Sequence, residues 1–271
     1  MLKGTRQIEI KNWSNEKLID KEDQLAIEQA LQIVLSYPLT NKVINKDLVI
    51  TMRTPGDDDL LAIGYLHAEG IIKTKEDIHA VEQVGEDTIK IGLKKPLEKS
   101  KLEISRSDIS TGACGMCGKT SMEGIYLPPK EHILDSPLQL SPNIILSLSQ
   151  KIIQHQRLFE QTGGIHASAF FDENGSLVNI FEDIGRHNSL DKLIGKSILN
   201  GDQLSGYLLF VSGRAGFELI QKAIVARIQI IVSVGAPSSL AVKYAKDYGI
   251  TLIGFLKNKS FNIYTYPERI Q

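Results

Sequence analysis

From residue 187 onward the sequence alternates between two rhythms, and that alternation restricts the fold more than anything else in the chain. Stretches at 187–199, 215–227 and 237–248 carry apolar residues at helical spacing. Between them lie short apolar runs: YLLFVS at 207–212, IQIIVSV at 228–234 and TLIGFL at 251–256. Strand-sized apolar runs without polar alternation need cover on both faces, and intervening helices supply the crossovers that parallel strands require. The expected architecture here is a largely parallel sheet covered on both sides, an α/β arrangement. Just before it, NIILSLSQKIIQHQRLFE at 143–160 reads as a helix. HASAFFD and SLVNIFE read as a hairpin turning at Glu173-Asn174-Gly175.

The first half has a different texture. ALQIVLSY (30–37) and KVINKDLVITM (42–52) have the branched and aromatic content of strands, and further short strands are expected near 79–84, 88–93 and 101–105. TPGDDDLLAIGYLHAEGII (54–72) reads as a helix. Asp57, Asp58 and Asp59 are placed to cap its start, and Gly70 to stop it. The segment 127–142, with four prolines, reads as a connector. The division that follows is a smaller strand-rich domain over 1–140 and an α/β domain over 141–271, α+β overall.

Lys plus Arg (31) nearly balance Asp plus Glu (32), for a formal charge of −1. That balance provides no general attraction to nucleic acid or to anionic membrane. The opening MLKGTRQIEIKN lacks the apolar core of a signal peptide, and no apolar run approaches the roughly 18 residues of a membrane span. A cytoplasmic location is the expectation.

The chain has two cysteines, Cys114 and Cys117, inside STGACGMCGKT (110–120). One such pair is no disulfide framework. A structural zinc site needs about four ligands, but there is no second pair and the six histidines are scattered. A thioredoxin-like pair opens a helix directly after a strand, whereas these flanks are glycine-rich and read as a mobile loop. A nucleophilic thiolate on that loop fits best, with Arg106 and Lys119 available to lower its pKa, and two inert buried cysteines do not suit so many small residues.

Ligands of open α/β sheets bind beyond the carboxyl ends of the strands. Four segments fall there: EDIGRHN (182–188), SGRAG (212–216), VGAPSS (234–239) and FLKNKS (255–260). Each pairs a small residue with a polar or basic one, and together they suit a cradle for a phosphate-bearing ligand. Taken singly, each is equally read as a turn whose arginine, Arg186 or Arg214, pairs with a nearby acid. TGGIHAS (162–168) departs from the H-x-E…P-C-x-x-C pattern of zinc deaminases. Ser168 stands where the glutamate would be, and the cysteine pair precedes the histidine, so deaminase activity is excluded. His166 is then either a ligand contact or a satisfied, partly buried histidine.

RTPGDDDLLAIGYLHAEGII, CGMCG, TGGIHAS, EDIGRHNSLDKLIG, SGRAGFELIQKA, GAPSSLAVKYAKDYGITLIGF and FNIYTYPERI together resemble the FdhD family of formate dehydrogenase accessory sulfurtransferases, in order, from about residue 28 to the end. The resemblance implies a larger domain similar in fold to cytidine deaminases but without their zinc. It implies that sulfur is accepted from a cysteine desulfurase and delivered to the molybdenum (or tungsten) bis-guanine-dinucleotide cofactor of formate dehydrogenase, bound as substrate. Cys114 would carry the persulfide, with Cys117 as its neighbour, and Phe255, Leu256, Lys257, Asn258, Lys259 and Ser260 would contact cofactor. Lys257 stands where the family often has arginine, which keeps the charge and loses the planar fork. A homodimer is also implied. Two other readings remain open: a cofactor-binding chaperone without sulfur chemistry, and a disulfide reductase.

Overall fold

The computed structural model describes residues 4–97, 126–129 and 138–271. Cys114, Cys117, the loop at 110–120 and the strand expected at 101–105 lie outside the described residues.

Among the described residues the chain forms twelve strands in three sheets, a mixed α/β structure. Strands β1 (Thr5–Ser14) and β2 (Lys17–Ala26) pair antiparallel as a two-stranded ribbon. Sequence reading missed this ribbon because charged residues occupy both of its faces, which leaves no clean alternation. A four-stranded sheet follows, ordered β4-β3-β6-β5, from β3 (Gln29–Leu39), β4 (Lys42–Arg53), β5 (Ile78–Gln83) and β6 (Thr88–Leu93). Its inner face is set by Leu31, Ile33, Leu35, Ile89 and Ile91, all buried. Burying each such side chain contributes about 1.5–3 kcal/mol.

Helix α1 (Asp58–Ala68) is shorter than expected, and its aspartates act differently. Asp57 adopts a left-handed backbone at φ 55° and makes no capping bond. Asp58 instead receives both Nε and Nη2 of the buried Arg53 at 2.8 Å, a two-point pairing that suits a guanidinium. Gly70, at φ 66°, stops the helix as expected.

The expected helix at 143–160 is two helices, α2 (Pro142–Ile153) and α3 (Arg157–Thr162). The break has a long-range cause. The Glu182 carboxylate accepts the amides of Leu158 and Phe159, each at 2.9 Å, and so starts a new helix at Arg157.

The second large sheet is ordered β12-β11-β10-β9-β7-β8. Its strands are β7 (His166–Phe171), β8 (Leu177–Asp183), β9 (Leu208–Val211), β10 (Ile230–Ser233), β11 (Thr251–Lys257) and β12 (Ser260–Ile263). Only β9-β10 and β10-β11 are parallel, and the other three pairings are antiparallel, so the sheet is mixed rather than largely parallel. The expected hairpin forms, and Asp172 Oδ1 holds its turn by accepting from the amides of Asn174 and Ser176.

Helices α4 (Arg186–Asn200), α5 (Phe217–Val225) and α6 (Ser239–Asp247) fall where the periodicity places them. One hydrophobic cluster contains Leu31 and Ile33 from the first sheet, Leu61 and Ile63 from α1, and Leu193, Leu219 and Ile231 from the second half. A second cluster lies on the other face of the large sheet, where Ile145, Leu148 and Ile152 of α2 cover Phe171, Phe210 and Val232. No helix among the described residues is long and apolar enough to cross a membrane.

Candidate functional site at the carboxyl edge of the large sheet

The three parallel strands end at one edge, and the loops that follow are tied to one another. Gly235 N donates to Gly213 O at 3.1 Å, and Phe255 N donates to Gly235 O at 3.1 Å. Ser233 Oγ donates to Gly213 O at 2.7 Å, and Ser238 N to Ala215 O at 3.0 Å. The approach is close enough to exclude a side chain at residue 235, where a Cβ would lie 2.9 Å from Arg214 Cα. Three of the four expected loops thus form one surface.

The antiparallel strands deliver the fourth. β7 starts and β8 ends at this same edge, which puts His166 opposite Asp183. Ala167 N donates to Ser212 Oγ at 2.9 Å, and Ser212 Oγ lies 3.4 Å from His166 Nδ1. A Cβ at Gly213 would meet the His166 ring at 3.3 Å and Arg186 Cδ at 3.6 Å, so both side chains lie over that glycine.

The arginines are not matched to acids. Among the described residues neither Arg186 nor Arg214 has an ion pair, and Arg186 Nε is buried without a hydrogen-bond partner. The acids beside Arg186 are already engaged. Asp183 Oδ2 receives Lys192 Nζ at 2.7 Å and Thr54 N at 3.2 Å, while Oδ1 receives Gly185 N at 2.9 Å and Asn188 Nδ2 at 3.0 Å. Glu182 serves the start of α3. Burial pushes the Glu182 carboxyl above its usual range, opposed by the two amides it accepts.

The network around Asp183 was missed in the sequence. Thr54 also accepts from Ile184 N and from Lys192 Nζ, and Asn188 donates to Met52 O at 2.6 Å. It fixes the 183–188 turn against the end of β4 and sets where Arg186 stands. The available signal was Asn188 and Lys192 on a helix whose buried side also holds His187, Ser189 and Asp191.

A cavity of about 510 Å³ opens beside His166. Its walls include Phe159, Phe210, Val234 and Ile153, with Ser149, Gln156, His166 and Ser212 as polar points. Burial is the main cause that lowers the His166 pKa below 6.5, nearby Arg186 and His187 add to it, and Asp183 opposes it.

Phe255 sits at a bulge with φ 53° and is 41% exposed beside the 234–239 loop. Lys257, Asn258, Lys259 and Ser260 form the exposed tip of the β11–β12 hairpin. Leu256 points the other way, into the core at 3% exposure, so it offers a ligand only its backbone.

The chain returning from the cysteines is anchored on a different part of the molecule. Gln221 Nε2 donates to Tyr126 O at 2.9 Å and to Ala68 O at 2.8 Å, and Tyr248 Oη donates to Pro128 O at 3.2 Å. The Tyr126 ring lies over Gly70, where a Cβ would be 2.5 Å away. A second cavity of about 340 Å³ adjoins this anchor, lined in part by His67, Lys73 and Arg227.

The model of the FdhD/NarQ family matches residues 28–271, everything beyond the β1–β2 ribbon. The chain belongs to the FdhD/NarQ family. Curated relatives include the sulfur carrier protein FdhD of Picrophilus torridus, 43% identical over 250 residues that cover 92% of each chain. That of Streptomyces coelicolor is 39% identical over 88% of each chain. That of Sulfurisphaera tokodaii is 38% identical over 98% of each. A solved protein from Desulfotalea psychrophila, named as a formate dehydrogenase accessory protein, has the same fold. Its TM-score is 0.73 at 24% identity, covering 99% of this chain and 100% of that one.

Proposed function

We propose that this FdhD/NarQ member is a cytoplasmic sulfur carrier for formate dehydrogenase maturation, loaded on Cys114 by a cysteine desulfurase. One observation carries the reading. The only two cysteines of the chain form a single Cys-Gly-Met-Cys motif, in a protein that shares 38–43% of its sequence with proteins named sulfur carriers.

The chemistry balances without a metal of the protein's own. The Cys114 thiolate attacks the outer sulfur of the donor's persulfide, the donor's S–S bond breaks, and the donor leaves as a thiolate. Cys114 then holds a persulfide, more acidic than a thiol and therefore anionic near neutral pH. In delivery, the Cys117 thiolate attacks the inner sulfur. A Cys114–Cys117 disulfide forms and the outer sulfur leaves as hydrosulfide, its two electrons supplied by the two cysteine sulfurs. A cellular dithiol then reduces the disulfide. Proximity on a three-residue spacing favours this step over attack by an outside thiol.

The acceptor is the molybdenum bis-guanine-dinucleotide cofactor, bound as substrate by the joined loops at the sheet edge. Its pyrophosphates suit a surface rich in backbone amides and in arginines without carboxylate partners among the described residues, and Phe255 is exposed to stack on a base. The protein acts as a homodimer in this reading. Incubation with a cysteine desulfurase and cysteine, followed by intact-protein mass spectrometry, tests it. One added sulfur that disappears in Cys114→Ala supports the carrier. Cofactor binding and full formate dehydrogenase activation by Cys114→Ala would replace it with a chaperone.

A further inference from the structure

The orphaned Arg186 and the orientation of His166 point to a ligand contact that the cradle described above does not include. Ser212 Oγ already accepts the Ala167 amide. Among the described residues, the acceptor within reach of its own hydroxyl proton is His166 Nδ1, at 3.4 Å. A hydroxyl that donates to Nδ1 leaves neutral His166 with its proton on Nε2. The ring then presents an N–H from the wall of the 510 Å³ cavity rather than a lone pair.

Arg186 stands beside that ring over Gly213, and its buried Nε has no partner among the described residues. A buried guanidinium N–H without an acceptor is costly, and a protein that keeps one has a use for it. The obvious internal acceptor, Asp183, has both oxygens occupied by four donors. Gly213 completes the arrangement, because a Cβ there would press on the His166 ring at 3.3 Å and touch Arg186 Cδ at 3.6 Å.

We propose that His166 Nε2–H and the Arg186 guanidinium together bind a phosphate oxygen of the ligand, with the cavity beside His166 taking the adjoining ring. The proposal rests on the reading of the sheet edge as a cradle for a phosphate-bearing cofactor, and it names two contact residues on the opposite side of the cradle from Phe255 and Lys257. Both residues donate and neither accepts, so the site selects a group made only of acceptors. A guanidinium and a fixed imidazole N–H converging on one oxygen give charge-assisted bonds of the stronger kind.

Inorganic pyrophosphate and GDP are the probes, titrated into the intact protein by calorimetry while ring-nitrogen NMR follows His166. Expected are a proton on Nε2 with Nδ1 bare, movement of the Nε2 signal with both probes, and binding weakened roughly tenfold in Arg186→Gln and in His166→Leu, the scale of one lost charge-assisted bond. His166→Gln keeps an N–H donor and recovers most of the affinity. Pyrophosphate that fails to bind the wild-type protein, or that binds Arg186→Gln and His166→Leu as tightly, would overturn the proposal. So would a proton found on Nδ1. The two readings fail separately. GDP binding that is indifferent to Arg186→Gln removes this contact and leaves the cradle. Pyrophosphate binding without GDP binding removes the nucleoside cradle and leaves this contact.

Discussion

Gly64 of helix α1 and Gly195 of helix α4 meet backbone to backbone. A Cβ on Gly64 would lie 1.9 Å from the carbonyl oxygen of Asp191, and a Cβ on Gly195 would lie 2.0 Å from that of Leu60 and 3.0 Å from Gly64 N. The helix that follows β4 and the helix that carries the candidate site are thus set at a distance only glycine permits. Through this contact the Asp183 network, which reaches from α4 to Thr54, keeps its geometry.

Gly64→Ala should therefore destabilise the fold by about 3 kcal/mol or more, since neither helix can yield without moving the core beneath it. Gly206→Ala, where no atom lies within 4 Å of the new Cβ, is the control and should change stability little. Urea denaturation of both variants checks the contrast. Equal midpoints would show that the helices separate at no cost.

His67 makes stability depend on acid. It is 8% exposed, and its ring nitrogens make no hydrogen bond of ordinary length and angle. Burial chiefly lowers its pKa below 6.5, nearby Lys222 adds to that, and the carbonyls of Ile72 and Val225 oppose it. A histidine whose folded pKa lies below its unfolded value binds fewer protons when folded. Stability is then full above the unfolded pKa and falls as pH drops through 6.5 toward the folded value. His166 shifts in the same direction. The slope from one such group is at most about 1.4 kcal/mol per pH unit. Unfolding free energy measured across the mildly acidic range should lose part of its slope in His67→Leu, and an unchanged slope would assign the acid sensitivity elsewhere.

The two cysteines should fail differently. Cys114→Ala should accept no sulfur. Cys117→Ala should gain one sulfur and activate formate dehydrogenase more slowly, because it lacks the internal thiol that releases hydrosulfide. Mass spectrometry paired with an activation assay separates these outcomes. Transfer by Cys117→Ala at the wild-type rate would leave Cys117 without a resolving role.

GDP should bind saturably, and Lys257→Ala should weaken it roughly fivefold, the scale of about 1 kcal/mol for a solvent-exposed charge contact. Lys257→Arg should bind at least as tightly, because a planar fork meets phosphate at two points. Calorimetry that finds no GDP binding at millimolar concentration would remove the nucleotide from the cradle.

Much of this protein was legible in its sequence because the signals are local. Helices α4 to α6 and strands β9 to β11 follow from periods that one segment shows by itself, since a strand buried on both faces and a helix buried on one must write those patterns in their own side chains. The Gly70 stop and the Asp172 turn are local in the same way, and the two cysteines and their spacing pointed to a nucleophilic thiolate. The tertiary structure decided what depends on residues far apart in the chain. It broke the helix at 154–156 through Glu182, gave Asp58 to Arg53 instead of to a helix cap, and turned Leu256 into the core while its neighbours stayed exposed. It also decided that Arg186 keeps no carboxylate among the described residues, because Asp183 is claimed by Lys192 and Thr54. Hydrogen bonds and charges are satisfied by whichever partner folding brings near, and a sequence names the donors and acceptors without saying which of them will meet.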